Sequence, residues 1–169
     1  MFRSMRRSRQ ALTAEQTEQI LKRNTSGVLA VRGDEGWPYA VPLSYVYTEG
    51  RIYFHCAKAG HKLDAIAREE RVSFCVIDRD EIVPEKYTTY FRSAIVFGRA
   101  QVVEDEAERR AALSAIAAKY APGDPEGREK EAADSLSRVC LLRLTPEYMS
   151  GKEAIELVRA REKGTAPTG

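Results

Sequence analysis

The chain of 169 residues has few of the residues that build metal centres and disulfide frameworks, with only two histidines and three cysteines. Cys56, Cys75 and Cys140 are scattered and form no C-x-x-C pair, and the last two lie in apolar runs. We therefore expect thiols in a reducing compartment. His55 and Cys56 would point to opposite faces of a strand, so they are not expected to share one ion. No metal site is predicted.

The sequence also lacks a charge excess and a long apolar run. Lys and Arg number 27 against 25 Asp and Glu, a net charge of +2, which gives no global basis for nucleic-acid binding. No stretch approaches the roughly 20 apolar residues that a membrane span requires. The basic start, FRSMRRSRQ, is not followed by the apolar run of a secretory signal. We therefore expect a cytoplasmic protein with no membrane or nucleic-acid partner.

The pattern of turns and apolar runs predicts one β-rich domain between two terminal segments. Residues 1–12 are expected to form a flexible basic arm, residues 13–153 the folded domain, and residues 154–169 a helix and a disordered tail. About six short strands separated by turn residues, with few helices, predict a mainly β fold. The specific expectation is a small β-barrel with peripheral helices.

Local composition predicts four features in the rest of the chain: a loop, a strand, a turn and a bulge. The charged stretch 79–88 is predicted to be a long surface loop. The last strand is predicted at 138–144, with SGKE at 150–153 forming a turn. Gly98 interrupts a long apolar strand and indicates a β-bulge or bend.

The stretch 41–63, VPLSYVYTEGRIYFHCAKAGHKL, combines a predicted strand hairpin with a cluster of basic side chains. Lys58, His61 and Lys62 surround Gly60, where a helix is predicted to begin. The free N–H groups of a helix N-terminus, together with positive charge, bind phosphate. The cluster therefore predicts a phosphate site beside the hairpin, with an ordinary solvated basic patch as the alternative.

Pro42 lies inside the first strand of this hairpin. Alternation would place Val41, Leu43 and Tyr45 on one face and Pro42 and Ser44 on the other. Because proline removes one N–H from the ladder, it predicts an edge strand or an interrupted pairing. A compatible interpretation is that backbone groups of residues 43–45 are left free to face a ligand.

A nucleophilic site is the competing interpretation of the same hairpin. Ser44 and His55 could meet across it as a nucleophile and a base. No aspartate or asparagine lies at a spacing that would orient the histidine, so this alternative is disfavoured.

Four segments, in order, carry a resemblance: PYAVPLSYVYTEGRIYFHCAKAGHKLDAI, RVSFCV, PEKYTTYFRSAIVFGRAQVVED and SGKE. They resemble the pyridoxamine 5′-phosphate oxidase-like, flavin-binding split-barrel family, and most closely its 5-nitroimidazole-resistance branch. The resemblance covers residues 27–153. It implies a six-stranded antiparallel split barrel that forms a homodimer with FMN at the dimer interface, FAD being the alternative cofactor. The carboxy-terminal arginine of the true oxidases has no counterpart here, so vitamin B6 oxidation is not expected.

The resemblance also implies a set of site residues. Residues 42–45 would lie along the isoalloxazine ring and residues 55–57 along the ribityl chain and ring edge. Lys58, His61 and Lys62 would hold the phosphate. Tyr90, Arg92 and Ser93 would come from the other subunit. His55 would be the catalytic residue. The implied cofactor-binding residues are Pro42, Leu43, Ser44, Tyr45, His55, Cys56, Ala57, Lys58, His61, Lys62, Tyr90, Arg92, Ser93 and Lys152.

The implied function is that of a flavin-dependent oxidoreductase. It would take reducing equivalents from NAD(P)H or another donor and pass them to a small acceptor such as a nitroaromatic compound. His55 is the one candidate for proton transfer near the ring. The alternative is a flavin- or haem-binding protein of the same fold that stores or senses its cofactor without turnover.

Overall fold

The computed structural model describes residues 2–164, which form one antiparallel β-sheet with helices around it. The strands are β1 (Ser26–Arg32), β2 (Pro38–Ser44), β3 (Val46–Thr48), β4 (Arg51–Cys56), β5 (Arg71–Val83), β6 (Thr88–Val102) and β7 (Cys140–Glu153). The α-helices are α1 (Ala14–Arg23), α2 (His61–Arg68), α3 (Glu106–Tyr120), α4 (Pro125–Ser135) and α5 (Ile155–Glu162). The mainly β fold with peripheral helices is confirmed.

The sheet curls, and a single residue joins its two edge strands. Its strand order is β2-β1-β5-β6-β7-β4-β3, which places β2 and β3 at opposite edges. Tyr45 alone separates these two strands in the chain, so it holds the edges together. Within residues 2–164 no ladder pairs β2 with β3 or β4, so the ring does not close. The prediction of six strands was wrong: the described part of the chain has seven, because the extended segment 38–48 divides at Tyr45 and pairs at both edges.

The main hydrophobic core lies inside this curl. Tyr45, Phe54 and Phe74 are fully buried and meet edge to face, with ring centroids 5.0 Å and 5.1 Å apart. In β2 the predicted alternation is confirmed, since Val41 packs against the core and Pro42 is exposed. Helices α1 and α2 cover the core and contribute Ile20, Leu21, Ala65 and Ile66. Each large apolar side chain buried in this way contributes about 1.5–3 kcal/mol.

A second cluster lies under α3 and α4, on the outer face of β3, β4 and β7. Tyr53 of β4 packs there with Leu113 and Ile116 of α3 and Ala132 of α4. Strand β4 is therefore buried on both faces along its middle. His55 follows on the Tyr53 face, beyond the covered part, and is exposed.

The predicted loop at 79–88 was wrong. Strand β5 continues to Val83 and β6 begins at Thr88, so the two strands form a long hairpin. Among the described residues, most side chains of its outer part are half-buried or exposed, and the two buried ones, Val83 and Tyr90, pack against Leu157 of α5. Without a buried face the strand shows no apolar alternation, and its charged composition is that of a loop.

The predicted turn at 150–153 was also wrong, because these residues continue β7 in register with β6. Gly151 is buried, and a β-carbon there would collide with Thr17 Oγ1 and Leu12. This glycine therefore permits a close approach of the segment that begins α1. The bulge predicted at Gly98 is confirmed by a register shift between Phe97 and Gly98.

The expected N-terminal arm lies against β6 and β7. Phe2 stacks on Phe97 and Tyr148, with ring centroids 5.5 Å and 5.0 Å apart. Ala11 forms a β-bridge with Lys152. The expected C-terminal helix is confirmed as α5, and the tail from residue 165 lies outside the described residues. None of the described helices is long and apolar enough to cross a bilayer.

Asp78 joins the end of α1 to β5 and should make stability depend on acid pH. Its carboxylate accepts hydrogen bonds from Arg23 Nε (2.6 Å) and Asn24 Nδ2 (2.7 Å), and Arg92 lies 3.5 Å away. Burial raises the pKa of Asp78, but the hydrogen bonds and the two positive charges outweigh burial and leave the pKa below its usual value. A lowered folded-state pKa gives stability that is complete above the unfolded pKa, about 3.9, and is lost as pH falls through the folded value.

We therefore expect Asp78→Asn to be less stable than the wild type at neutral pH, by about 2 kcal/mol. The difference should shrink below about pH 4 as the wild-type carboxylate is protonated. Urea unfolding between pH 7 and pH 2 measures it, with the exposed Asp80→Asn as control. A difference that stays constant down to the lowest pH would contradict this role.

Candidate functional site

Helix α2 begins with an open, uncapped N-terminus. Gly60, the N-cap residue, has φ +134° and no side chain that could cap the helix, and no atom lies within 4 Å of the position of a β-carbon. Its carbonyl accepts from the N–H groups of Leu63 and Asp64. The N–H groups of His61 and Lys62 have no hydrogen-bond partner among the described residues. Such a terminus carries a partial positive charge and free donors, which suits an anion.

Two lysines flank this helix N-terminus. Lys58 is exposed and Lys62 is half-buried, and no ion pair joins either of them to another residue of the described chain. Burial raises the pKa of the Cys56 thiol to about 11, the nearby Lys62 charge opposing that rise and Cys140 adding to it. Cys56 is therefore a protonated thiol at neutral pH and a poor nucleophile.

The side chain of His61 lies against the β1–β2 connection. Its ring stacks on Tyr39 with centroids 4.2 Å apart, and its Nε2 lies 3.5 Å from Asp34 Oδ2. Asp34 also accepts from Arg68 at 2.7 Å. The resemblance implied that all three basic side chains hold the phosphate. The structure places the two lysines and the backbone of His61 around the helix N-terminus, while the His61 ring fixes α2 to the sheet.

Strand β2, on which the His61 ring stacks through Tyr39, is an edge strand of the sheet. The Tyr45 N–H donates to Thr25 O (3.4 Å), so Tyr45 and, two residues earlier, Leu43 turn their backbone groups towards β1. Pro42 and Ser44 turn theirs towards the open edge. Pro42 thus lies on an edge strand, as predicted. Of residues 43–45, Ser44 directs its backbone groups away from β1, while Leu43 and Tyr45 direct theirs towards it. That the Ser44 backbone faces a ligand stays a prediction.

The C-terminal end of α3 holds the point where β2 becomes β3. Tyr120 Oη accepts the Tyr45 N–H at 2.9 Å and lies against the carbonyl oxygens of Thr25 and Tyr45. The Lys119 ammonium lies 4.1 Å from the Tyr45 ring centroid and donates to Asn24 O. Burial lowers the pKa of Lys119 to about 8. No local signal in the sequence identifies this partner of Tyr120, which lies 75 residues away.

Between the sheet and the α3–α4 pair lies a cavity of about 510 Å³, here named the α3–α4 cavity. Ser44 of β2 and His55 of β4 form its floor. The structure therefore brings together two predicted site residues from strands that do not pair with each other. The remaining lining residues come from the two helices and the connection between them: Leu113, Ile116, Ala117, Tyr120, Ala121, Asp124, Gly127, Arg128, Glu131, Ala132 and Ser135.

The other predicted site residues lie on a different part of the sheet. Ser93 of β6 and Lys152 of β7 are register partners and line a separate cavity of about 510 Å³ beneath the N-terminal arm. Strands β1 and β5 separate β6 from β2 in the sheet order. Within one chain, these residues do not share a cavity with Ser44 and His55.

Arg92 and Tyr90 have partners of their own in this region. Arg92 donates to Glu153 Oε2 through Nε (3.0 Å) and Nη2 (2.9 Å). The Tyr90 hydroxyl accepts from Lys86 Nζ at 2.8 Å. Glu153, which the sequence analysis placed in a turn, is 1% exposed and also accepts from Arg161 (2.9 Å). Arg92 therefore belongs to a structural ion-pair network.

The fold and the site together define a mainly β protein whose curled sheet has an open edge and a lysine-flanked, uncapped helix N-terminus. Residues 13–153 match the family model described as pyridoxamine 5′-phosphate oxidase, and the chain belongs to this family. The family predicted from the four segments is confirmed. No curated protein matches the chain.

Solved structures with similar folds include three informative examples. A proposed 5-nitroimidazole antibiotic resistance protein from Bacteroides thetaiotaomicron is 23% identical, with 85% of this chain and 86% of that chain covered and a TM-score of 0.71. A conserved hypothetical protein from Mycobacterium tuberculosis is 16% identical, with 98% and 96% covered and a TM-score of 0.79. An FAD-binding protein from Mesorhizobium loti is 27% identical, with 85% and 96% covered and a TM-score of 0.62. The first two likenesses establish the fold.

Proposed function

We propose that the protein is a homodimeric flavoprotein that binds FMN and acts as an oxidoreductase on a small acceptor. The observation that carries this proposal is the uncapped N-terminus of α2, flanked by Lys58 and Lys62 and joined to the edge strand β2 by the stacking of His61 on Tyr39. A dianionic phosphate matches the free N–H groups and the two ammonium groups. The FAD-binding relative supports a flavin as the phosphorylated group and keeps FAD as the alternative.

The residues of the chain fit such a group in three places. Lys58, Lys62 and the first N–H groups of α2 would hold the phosphate. The outward backbone groups of Pro42 and Ser44 would lie along the ring edge, and His55 would lie near it on the floor of the α3–α4 cavity. A bound flavin supplies the electron and hydride chemistry, while the protein supplies position and electrostatics.

A dimer is part of the proposal because of the outer face of the sheet. Val28, Ile95 and Phe97 on that face are between 37% and 38% exposed, and Ile77 is 63% exposed. An apolar surface of this kind is typical of an interface between subunits. A second subunit would also bring Ser93 and Lys152 to a cofactor that they do not reach within their own chain.

His55 is the proposed proton-transfer residue. Its imidazole is exposed to the cavity and has no side-chain hydrogen bond among the described residues. We expect His55→Ala to retain its flavin but to lose about 100-fold in turnover, a typical effect of removing a general acid or base. The measurement is NAD(P)H oxidation with a nitroaromatic acceptor, with bound flavin quantified by absorbance in the same samples.

Protein-free FMN at equal concentration is the control for this experiment. Identical turnover in His55→Ala and the wild type would remove His55 from the mechanism. A wild-type rate equal to that of free FMN would contradict enzymatic activity and favour the flavin-storage alternative.

A further inference from the structure

The α3–α4 cavity has features of a binding site beyond the proposed cofactor contacts. Its helical walls are apolar, with Leu113, Ile116 and Ala117 from α3 and Ala132 from α4. Its volume of about 510 Å³ lies within the range of small-molecule sites, about 300–1,000 Å³. Its floor is polar, because Ser44 and His55 open onto it.

Most of the polar groups on the helical side already have partners. Glu131 Oε1 pairs with Arg138 at 3.0 Å and accepts from the Ser135 hydroxyl at 2.8 Å. Asp124 accepts the Gly127 N–H at 2.9 Å and so caps α4. These contacts give both carboxylates of the cavity a hydrogen-bond partner, and Arg138 also neutralises the charge of Glu131.

Three polar side chains of the cavity have no such partner. The Arg128 guanidinium, the Ser44 hydroxyl and the His55 imidazole make no side-chain hydrogen bond or ion pair with any residue in the range 2–164. Arg128 is half-buried and, among the residues that the structure describes, is the one cationic side chain of the lining. A half-buried guanidinium is best satisfied by an anion, to which it donates paired hydrogen bonds.

We propose that the α3–α4 cavity binds a small, largely apolar molecule that carries one anionic group, which pairs with Arg128. The apolar body would lie against Leu113, Ile116 and Ala117, over the floor formed by Ser44 and His55. This assignment rests on the proposed function in one respect: it takes the floor residues to be neighbours of a flavin, so that the bound molecule is the acceptor or its competitor. The proposed class of acceptor is therefore a small, largely apolar compound with one anionic group.

Two aromatic probes of similar shape test this assignment by equilibrium dialysis against the full-length protein. One is 8-anilinonaphthalene-1-sulfonate, which is anionic, and the other is the uncharged N-phenyl-1-naphthylamine. We expect Arg128→Gln to weaken sulfonate binding about tenfold, as for loss of one charged hydrogen-bond pair, and to leave binding of the uncharged probe unchanged. Ala117→Leu, which fills part of the cavity, should weaken both probes.

The matched control is Arg110→Gln, which removes an exposed arginine elsewhere on α3. It should bind both probes as the wild type does. Equal sulfonate affinity in Arg128→Gln and Arg110→Gln would overturn the assignment, as would an equal loss of both probes in Arg128→Gln. Flavin absorbance of each sample separates the two proposals. Flavin bound without Arg128-dependent sulfonate binding would overturn the cavity assignment alone. Arg128-dependent sulfonate binding without flavin would overturn the flavin proposal and the acceptor role, and would leave the anion site of the cavity supported.

Discussion

Replacing Lys58 and Lys62 together with alanine is expected to weaken FMN binding by at least about 100-fold while the fold survives. Hydrogen bonds to charged groups contribute about 1.5–3 kcal/mol each, and tenfold in affinity corresponds to 1.4 kcal/mol. Neither lysine has an ion-pair partner within the described chain, so their removal breaks no internal contact of that kind. The N–H groups at the start of α2 would remain, so residual binding is expected.

Equilibrium dialysis with FMN measures the affinity, and thermal unfolding checks the fold. The control is Lys22→Ala with Lys163→Ala, which removes the same charge from two exposed positions outside the proposed phosphate site. Equal FMN affinity in the two double variants would show that net charge, rather than this phosphate site, governs binding. Loss of affinity restricted to the Lys58 and Lys62 variant would support the site.

Replacing Glu153 with alanine is expected to lower the stability of the fold by about 3 kcal/mol. Removing one partner of a buried ion pair costs about 3–5 kcal/mol, because the other charge is left without compensation. Glu153 is 1% exposed and lies between Arg92 and Arg161, both of which retain some contact with solvent. Solvent reduces the cost of the stranded arginines, so the lower end of the range applies.

For a chain of this size the loss corresponds to a fall in melting temperature of about 10 °C. The control is Glu162→Ala, which removes the exposed ion pair between Arg9 and Glu162 and should change the melting temperature little. Calorimetry measures the melting temperatures of the two variants. Equal melting temperatures would mean that Glu153 is not a structural centre of β7 and α5.

The local elements of the first half could be predicted from the sequence because their signals are local. A capping box at Thr13 begins α1, and Pro42 marks the edge strand β2. The start of α2 after Gly60 follows from the same kind of signal. These features depend on residues within a few positions of each other, so the pattern of the chain contains them.

The second half could not be predicted in full because its determinants are distant contacts. SGKE has the composition of a turn, yet Gly151 is present because the segment before α1 passes close to the strand. The outer part of the β5–β6 hairpin pairs with itself and has no buried face to produce alternation. Neither cause is visible in a short window of sequence.

The candidate site also has a part that the sequence could predict and a part that it could not. Lys58, Lys62 and the free helix N-terminus lie together as the sequence indicated, because they are neighbours in the chain. The role predicted for the His61 side chain came from the basic cluster, and that of Arg92 came from the resemblance. The structure gives both residues partners within the chain. Tyr120 and Arg128 reach the site from α3 and α4, which no local motif connects to it.

The central claim is that two subunits of this chain together hold flavin at the lysine-flanked end of α2. Native mass spectrometry of the full-length protein, after incubation with excess FMN and removal of the unbound fraction, tests it most directly. The expected result is a mass of two chains with two FMN molecules, and loss of the flavin in the Lys58 and Lys62 double variant. A single chain that retains no flavin would contradict the account.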